Sequence, residues 1–244
     1  MIQEQLSKCC RELRLSAFLA ENAMSMSGDT NQEYLLNLLH TEIKYRSSKR
    51  RTLSLKKAGF DSMKTFEGYT FDNIVFPPAL SVELIKELDF LSRTENLILY
   101  GRNGAGKSHM ATAIGVEACM QGKKVKFYKT ASLVNDLTDA KANGTLSNLL
   151  KKLRKLDLLI CDEWGYIPFE AEGSQLLFQV IADCYEKRSL IITTNIEFSK
   201  WNGIFYDDQL TAALIDRLVH HSHLIVFDRD SWRFEHSLMK ECSN

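Results

Sequence analysis

The sequence has little of several features that would assign it to a special class of protein. Its 244 residues contain no run of 18 apolar residues, which argues against a membrane-spanning helix. Charges occur throughout the first residues, so no secretory signal peptide is expected. The six cysteines form no C-x-x-C pair, which favours reduced thiols in a cytosolic protein. Only three prolines are present, which predicts little disorder.

An excess of charge of one sign is also absent. Lys plus Arg and Asp plus Glu each number 31, so the formal net charge is zero and any contact with DNA must come from local patches. The hydrophobic fraction of 45% and the charged fraction of 25% are typical of a soluble globular protein.

A glycine-rich stretch between a strand pattern and a helix pattern carries the strongest chemical signal. The apolar run 97–100 breaks at Gly101, and helical spacing resumes at Lys107. The intervening GRNGAGKS matches G-x-x-x-x-G-K-S, whose backbone N–H groups hold phosphate, whose lysine reaches the β- and γ-phosphates and whose serine binds Mg²⁺. The predicted ATP-binding residues are Gly101, Arg102, Asn103, Gly104, Ala105, Gly106, Lys107, Ser108 and His109.

Two further apolar runs end in polar residues that could act on a bound triphosphate. Asp162 and Glu163 follow the run 156–161, and we expect Asp162 to hold Mg²⁺ together with Ser108. Glu163 would orient and deprotonate the attacking water, and Asn195, after the run 190–194, would help to hold that water. The alternatives are an acidic strand end without a role and an asparagine that only forms a turn.

Strand and helix patterns alternate along most of the chain. They predict an α/β fold with a five-stranded parallel sheet, helices on both faces and ligands at the carboxyl ends of the strands. One helix is predicted over residues 1–20 and another over about 30–57, which together suggest an N-terminal helical domain, 1–65, before an ATPase domain, 66–244. We expect an irregular aromatic linker over 60–78 that leads into the second domain, and helices over about 81–91 and over 131–155.

Two basic stretches could contact the phosphates of nucleic acid. Seven basic residues and no acidic one lie between positions 44 and 57, and the helical stretch 131–155 also has a basic end. A solvated helix face or the docking of a partner are the alternatives. The candidate DNA contacts are Lys44, Arg46, Lys49, Arg50, Arg51, Lys151 and Lys152.

Three histidines close together, His220, His221 and His223, resemble a metal-binding cluster at first sight. No carboxylate or cysteine lies at ligand spacing from them in the sequence, so no metal site is expected there.

Longer motifs along nearly the whole chain resemble AAA+ ATPases, and within them the IstB-type transposition helpers, relatives of DnaC-type helicase loaders. The matching segments are LRLSAFLAE, TFDN, GRNGAGKSHMATAIG, LLICDEWGYIPF, IITTNIEFSKW, LTAALIDRLVHHSHLIVF and DSWRF. Only 17 residues follow Phe227, so the full C-terminal helical lid of generic AAA+ proteins is not expected.

The resemblance implies roles for two arginines that spacing alone would not single out. Arg217 matches the arginine finger, which inserts into the site of a neighbouring subunit, and Arg233 matches the second sensor, which contacts nucleotide in its own subunit. A finger supplied by a neighbour implies an ATP-dependent homo-oligomer, either a ring or a helix.

The expected function is that of an ATPase stimulated by DNA and by oligomerisation. It would bind and deform duplex DNA, select a target and stimulate the transposase of the same element, in the bacterial cytoplasm and at the nucleoid when bound to DNA. A DnaC-like helicase loader that prefers single strands is the alternative. A scaffold that binds ATP without turnover is a third possibility, against which Glu163 argues.

Overall fold

The computed structural model describes residues 1–166, 170–205 and 207–235, apart from the side chains of Arg233 and Glu235. The chain divides into two compact units, Met1–Leu53 and Ser54–Asn244. The predicted domain boundary after residue 65 lies further along the chain than the division between these units, which follows Leu53. It stays a prediction about domain organisation.

The first unit consists of the helices α1 (Ile2–Glu12) and α2 (Ala17–Asn22) and most of α3 (Asn31–Ala58). The prediction of one helix over residues 1–20 is wrong. Arg14 has a φ of 54°, which interrupts the helix, and both the N–H and the hydroxyl of Ser16 bind the carboxylate of Glu42. This contact with a residue far along the chain outweighs the helical spacing. The small core that results is formed by Cys10, Leu19, Ala20, Ala23 and Leu38.

The second unit contains a six-stranded sheet in the order β1-β6-β2-β5-β4-β3. Five strands are parallel, and β1 pairs antiparallel with β6. The strands are β1 (Ile74–Val75), β2 (Asn96–Gly101), β3 (Val125–Lys129), β4 (Leu158–Asp162), β5 (Ser189–Thr194) and β6 (Ser222–Phe227). The fold class therefore agrees with the prediction, and the predicted strand count of five is wrong by one.

The additional strand lies in the segment that the sequence indicated as an irregular linker. Ile74 and Val75 pair with Phe227 and Val226 at the edge of the sheet. Two residues are too few to show a periodic pattern, so pairing with β6 alone identifies them as a strand. Aromatic residues of the same segment pack against the core of this unit: Phe60, Phe66, Tyr69, Phe71 and Phe76.

Helices cover both faces of the sheet. Along β4, Leu158 and Ile160 belong to the core that packs with α6 (Lys107–Met120), whereas Leu159 and Cys161 belong to the core on the other face. That second core contains residues of the helices α7 (Thr130–Ala142), α8 (Leu146–Leu153), α9 (Ala171–Cys184) and α10 (Asp208–His220). Alternate burial on two faces explains why the parallel strands read as continuous apolar runs.

Two predicted helices are each divided in the structure. The helix expected over 81–91 consists of α4 (Val82–Lys86) and α5 (Asp89–Ser92), separated at Leu88, whose φ is 61°. The helical stretch 131–155 is broken at Gly144, between α7 and α8, where φ is 67°. A 3₁₀ helix (Phe198–Gly203) and α11 (Trp232–Glu235) complete the described elements.

No helix in the described part of the chain is long and apolar enough to cross a membrane. The cysteines at positions 9, 10, 119, 161 and 184 are free thiols, and burial raises the pKa of Cys119 and of Cys184 to about 11.

The sheet core predicts a measurable difference between two identical substitutions on adjacent strands. Leu99 on β2 is fully buried and Leu224 on β6 is 40% exposed. Leu99→Ala should lower the free energy of unfolding by about 2–5 kcal/mol because it leaves a cavity, and Leu224→Ala by less than about 1 kcal/mol. Urea unfolding followed by tryptophan fluorescence would report on this unit alone, since all three tryptophans belong to it. Equal losses would contradict the assignment of Leu99 to the core.

Candidate functional site

The predicted phosphate-binding loop lies between β2 and α6. Gly101 ends β2 with a φ of 153°, and a Cβ there would lie 2.5 Å from the carbonyl oxygen of Phe227. Gly106 precedes α6 with a φ of 90°, a conformation that residues with a side chain rarely adopt. Glycine at these two positions is therefore required for the path of the loop, and it keeps the backbone accessible to a ligand.

Lys107 is buried at the start of α6, with 7% of its surface exposed. Its Nζ donates hydrogen bonds to the carbonyl oxygens of Gly101, at 2.7 Å, and Arg102, at 2.8 Å. The ammonium is thus held beside the loop by oxygen acceptors. Phosphate oxygens are stronger acceptors for a cation than neutral carbonyls, so a triphosphate could replace them.

Asp162, at the end of β4, accepts hydrogen bonds from residues of three neighbouring elements, α6, α7 and β5. Its Oδ1 accepts hydrogen bonds from the hydroxyl of Ser108, at 2.8 Å, and from that of Thr193 on β5, at 2.5 Å. Its backbone carbonyl accepts a hydrogen bond from the hydroxyl of Thr130, at 2.7 Å. Carboxylate and hydroxyl oxygens are the ligands that Mg²⁺ prefers, so this pair of predicted ligands fits the ion.

Glu163 has a φ of 57°, in the left-handed region that only a few per cent of non-glycine residues occupy. Its N–H donates to the hydroxyl of Thr193 at 3.0 Å, a bond that helps to hold this conformation. The Oε2 of Glu163 lies 3.8 Å from the Nζ of Lys129, which in turn lies 3.7 Å from a carboxylate oxygen of Asp61. Lys129 therefore bridges the predicted general base and a second acid.

The phosphate-binding loop, Asp162 and Glu163 line one cavity of about 540 Å³. The predicted residues among its lining are Asn103, Gly104, Gly106, Lys107, Ser108, His109, Asp162 and Glu163. The lining also includes residues that the sequence did not indicate, among them Lys64, Tyr69, Lys129, Thr193 and Arg229. Convergence of the phosphate-binding loop with both carboxylates was expected, because the carboxyl ends of parallel strands lie together.

Arg229 follows β6 and lies across the phosphate-binding loop. Its guanidinium donates to the carbonyl oxygens of Ala105, at 2.5 Å, and Thr70, at 3.1 Å, and to the hydroxyl of Tyr69, at 2.8 Å. Burial raises the pKa of Tyr69 to about 12, although the charge of Arg229 acts in the opposite direction. The phenol therefore stays neutral at physiological pH, and its own O–H can donate to the carbonyl oxygen of Gly106, 3.3 Å away.

Among the described residues, two predicted catalytic residues, Asn195 and Arg217, are not part of this lining. Asn195 lines an adjacent cavity of about 470 Å³, which shares Tyr166 with the first one, and its Oδ1 is buried without a hydrogen-bond partner among the described residues. Arg217 lies on α10 with its guanidinium 5.0 Å from the centre of the Phe178 ring. The side chain of Arg233 lies outside the described residues. The roles predicted for all three stay predictions.

The predicted DNA contacts lie on two helices in different units. Lys44, Arg46, Lys49, Arg50 and Arg51 belong to the part of α3 in the first unit, and Lys151 and Lys152 belong to α8 in the second. Arg46 already forms an ion pair with Glu42, at 2.6 Å. This pair and the Ser16 bonds hold the pKa of Glu42 below its ordinary value even though burial raises it.

Sequence reasoning missed Thr193, Lys129 and Arg229 as parts of the site. Thr193 lies two residues before Asn195, near the end of an apolar strand, where threonine is common for reasons of β-propensity alone. Its contact with Asp162 depends on β5 lying beside β4, which the sequence does not specify. Lys129 could have been predicted as a site residue, because it is the last residue of a parallel strand, as Asp162 is.

Comparison with known proteins finds ATP-binding proteins among the relatives of this chain. The family model described as IstB-like ATP binding protein matches residues 9–240. The ATP-binding protein of insertion sequence IS5376 from Geobacillus stearothermophilus is 32% identical over 248 residues, which cover 98% of each chain. The corresponding protein of IS232 from Bacillus thuringiensis is 35% identical over 212 residues, covering 86% of this chain and 84% of that one.

Solved structures agree on the fold. DnaA from Aquifex aeolicus bound to AMPPCP has a TM-score of 0.57 at 22% identity and covers 75% of this chain and 55% of its own. DnaI has a TM-score of 0.51 at 15% identity, with coverage of 69% and 89%. At these identities the likeness shows a shared fold alone.

The hydrogen bonds of Thr193 predict that it positions both acids of the site. Thr193→Val keeps the shape of the side chain but removes the bonds to Asp162 and to the N–H of Glu163. We expect the rate of ATP hydrolysis to fall by about tenfold or more, with a smaller change in the affinity for an ATP analogue, because misplaced catalytic groups affect the chemical step most.

Thr194→Val is the matched control, since its hydroxyl also makes two bonds, to the carbonyl of Trp164 and the N–H of Ile196. Both substitutions should cost a similar free energy of unfolding, about 1–3 kcal/mol. Equal loss of hydrolysis in the two variants would mean that Thr193 supports the fold and not the acids.

Proposed function

The chain belongs to the family of IstB-like ATP-binding proteins, and on that premise we propose that it is an ATP-hydrolysing helper of DNA transposition. With ATP and Mg²⁺ bound, it assembles on duplex DNA, deforms the DNA to select a target and stimulates the transposase of the same element. Hydrolysis then weakens the contacts between copies and releases the DNA. Such assembly would place the protein at the nucleoid of a bacterial host.

One observation carries the enzymatic part of this proposal. The phosphate-binding loop, Ser108 with Asp162, and Glu163 all line a single cavity at the carboxyl ends of parallel strands. A protein that only bound ATP would need the loop but would have no use for an acid where Glu163 lies. Hydrolysis of ATP to ADP and phosphate is therefore favoured over a static nucleotide-binding role.

Each of these residues of the cavity would have a separate role in ATP hydrolysis. Lys107 would exchange its bonds to loop carbonyls for bonds to the β- and γ-phosphates. Ser108 and Asp162 would hold Mg²⁺, which would neutralise charge on the phosphate oxygens. Glu163 would accept a proton from the attacking water, for which its carboxylate must move out of the ion pair with Lys129 or share it.

Asn195 would help to hold the attacking water. Its buried Oδ1 has no hydrogen-bond partner in the described part of the chain, and a buried acceptor of this kind is costly unless something occupies it. A water bound there would lie in the cavity next to that of the nucleotide, with Tyr166 in the wall of both.

Assembly would complete the site. Arg217 is half-buried on α10 and stacks on Phe178, and it is not among the residues that line the cavity of its own chain. We therefore assign it to the site of a neighbouring copy, where its charge would stabilise the γ-phosphate during hydrolysis. Head-to-tail contacts of this kind generate rings or helical filaments.

The basic part of α3 supports the proposed contact with duplex DNA. Lys44, Lys49, Arg50 and Arg51 form no ion pair among the described residues. Side chains of this sort can replace counterions along a DNA backbone, and several such contacts would offset the few kcal/mol that bending a duplex costs. The alternative is a helicase loader, and a preference for single strands over duplex DNA would distinguish it.

An arginine finger in trans makes a specific prediction for mixtures of two inactive variants. Glu163→Gln should bind ATP and remain as DNA-bound oligomers, and Arg217→Ala should keep its affinity for ATP. Each variant alone should hydrolyse ATP at least about 100-fold more slowly than the wild type. An equimolar mixture should regain activity, because random assembly places an intact Glu163 opposite an intact Arg217 at roughly one interface in four.

The control for this mixture is Glu163→Gln combined with the double variant Glu163→Gln/Arg217→Ala, which contains no intact Glu163 and should stay inactive. Steady-state release of phosphate on duplex DNA measures both mixtures. Normal turnover by Arg217→Ala alone would remove it from the site. Failure of the first mixture to recover would place its action within its own chain.

Replacing Lys49, Arg50 and Arg51 together with Ala should weaken binding to duplex DNA and reduce the slope of log K against log salt by up to about 3 units. Lys8, Arg11 and Arg14, which are exposed in the same unit but outside the basic run, provide a control with the same change of charge. Fluorescence anisotropy at several salt concentrations measures the slopes. Identical slopes for both triple variants would assign the run on α3 to solubility or to the docking of a partner.

A further inference from the structure

Three potential metal ligands come together where α9 and α10 end. Glu186 lies in the turn after α9, His220 ends α10 and His221 follows it. Each residue offers one ligand atom, and these atoms all lie within 4.8 Å of one another. In the sequence no carboxylate was found at ligand spacing from the histidines, whereas in the structure Glu186, which is distant along the chain, lies beside two of them.

The surrounding contacts orient these side chains. The Nε2 of His221 lies 3.1 Å from Oε1 of Glu186, and the Nδ1 of His220 lies 2.9 Å from the hydroxyl of Tyr185. The two imidazole rings are adjacent, with their centres 4.7 Å apart. The bond to Tyr185 fixes the ring of His220 and leaves its Nε2 for a metal, as is usual for histidine ligands, whereas the bond of His221 joins two of the potential ligands.

The chemistry of the three groups selects the kind of ion. Two imidazoles and one carboxylate are the ligands of Zn²⁺ and its first-row neighbours, whereas Mg²⁺ prefers oxygen alone. All three side chains are at least partly exposed, so an ion can reach them from solvent and water can complete its coordination.

We propose that Glu186, His220 and His221 form a binding site for a divalent transition-metal ion of the Zn²⁺ class, separate from the site for ATP. The carbonyl of His221 accepts a hydrogen bond from the N–H of Asn96, the first residue of β2. The metal site therefore lies at the amino ends of the parallel strands, whereas the phosphate-binding loop lies at their carboxyl ends.

A metal at this position would connect the end of α10 to the turn that follows α9. The same two helices carry Arg217 and Phe178, whose side chains are stacked. Bound metal would thus stabilise the pairing of the helices that hold Arg217, and the protein should melt at a higher temperature with metal than without it.

The test uses the full chain, freed of metal by chelation and then titrated with Co²⁺, whose visible absorption reports its ligands. We expect one Co²⁺ per chain, displaced by Zn²⁺, without a thiolate charge-transfer band. His220→Ala and His221→Ala should each weaken binding by about tenfold or more, and both should abolish the rise in melting temperature that Co²⁺ causes. Glu186→Gln should weaken binding with little change of shape.

His223→Ala is the matched control, because His223 is also paired with a glutamate, Glu95, at 2.8 Å but belongs to no group of three ligands in the described part of the chain. It should bind Co²⁺ as the wild type does. Melting of each metal-free variant shows whether it is folded. Absence of saturable Co²⁺ binding to the wild type, or binding that persists unchanged in both His220→Ala and His221→Ala, would overturn the proposal. A thiolate band would do the same, since it would assign the ion to a cysteine.

Discussion

A single carboxylate oxygen joins the elements on which the nucleotide site depends. Oδ1 of Asp162 accepts hydrogen bonds from Ser108, in the first turn of α6, and from Thr193, on β5. Through Thr193 it is also linked to the backbone of Glu163. A shift of β4 by one residue would turn Asp162 towards the opposite face of the sheet and break every one of these bonds. The register of the central strands is therefore as important to the site as the identity of its residues.

Local features of the sequence were sufficient to predict the parts of the site that are continuous in the chain. The phosphate-binding loop requires glycine where the backbone turns and a lysine at the helix start, and both requirements are visible in eight consecutive residues. The apolar run before Asp162 and Glu163 likewise predicts a buried parallel strand. Since parallel strands end at one edge, the meeting of these two segments also followed from the sequence.

Features created by contacts between distant residues could not be predicted in the same way. Glu42 breaks the first helix by binding Ser16, and β1 becomes a strand only beside β6. Arg229 crosses the phosphate-binding loop because the chain turns back after β6, and Glu186 meets the histidines because α9 and α10 end together. No periodicity or motif in the sequence indicates such contacts, which is why the sequence did not predict the proposed metal site of Glu186, His220 and His221.

The bonds of Lys107 to its own loop have a thermodynamic consequence for the affinity of the protein for nucleotides. Most of this ammonium is desolvated before any ligand binds, because only 7% of the residue is exposed. Two carbonyl oxygens replace water as hydrogen-bond acceptors. Binding of an anion therefore costs less free energy, because much of the desolvation of Lys107 has already occurred during folding. The anion must compete with two neutral carbonyl dipoles among the partners of Lys107, and this exchange becomes more favourable with each negative charge that the anion carries. A triphosphate should accordingly gain more than a monophosphate from the same loop.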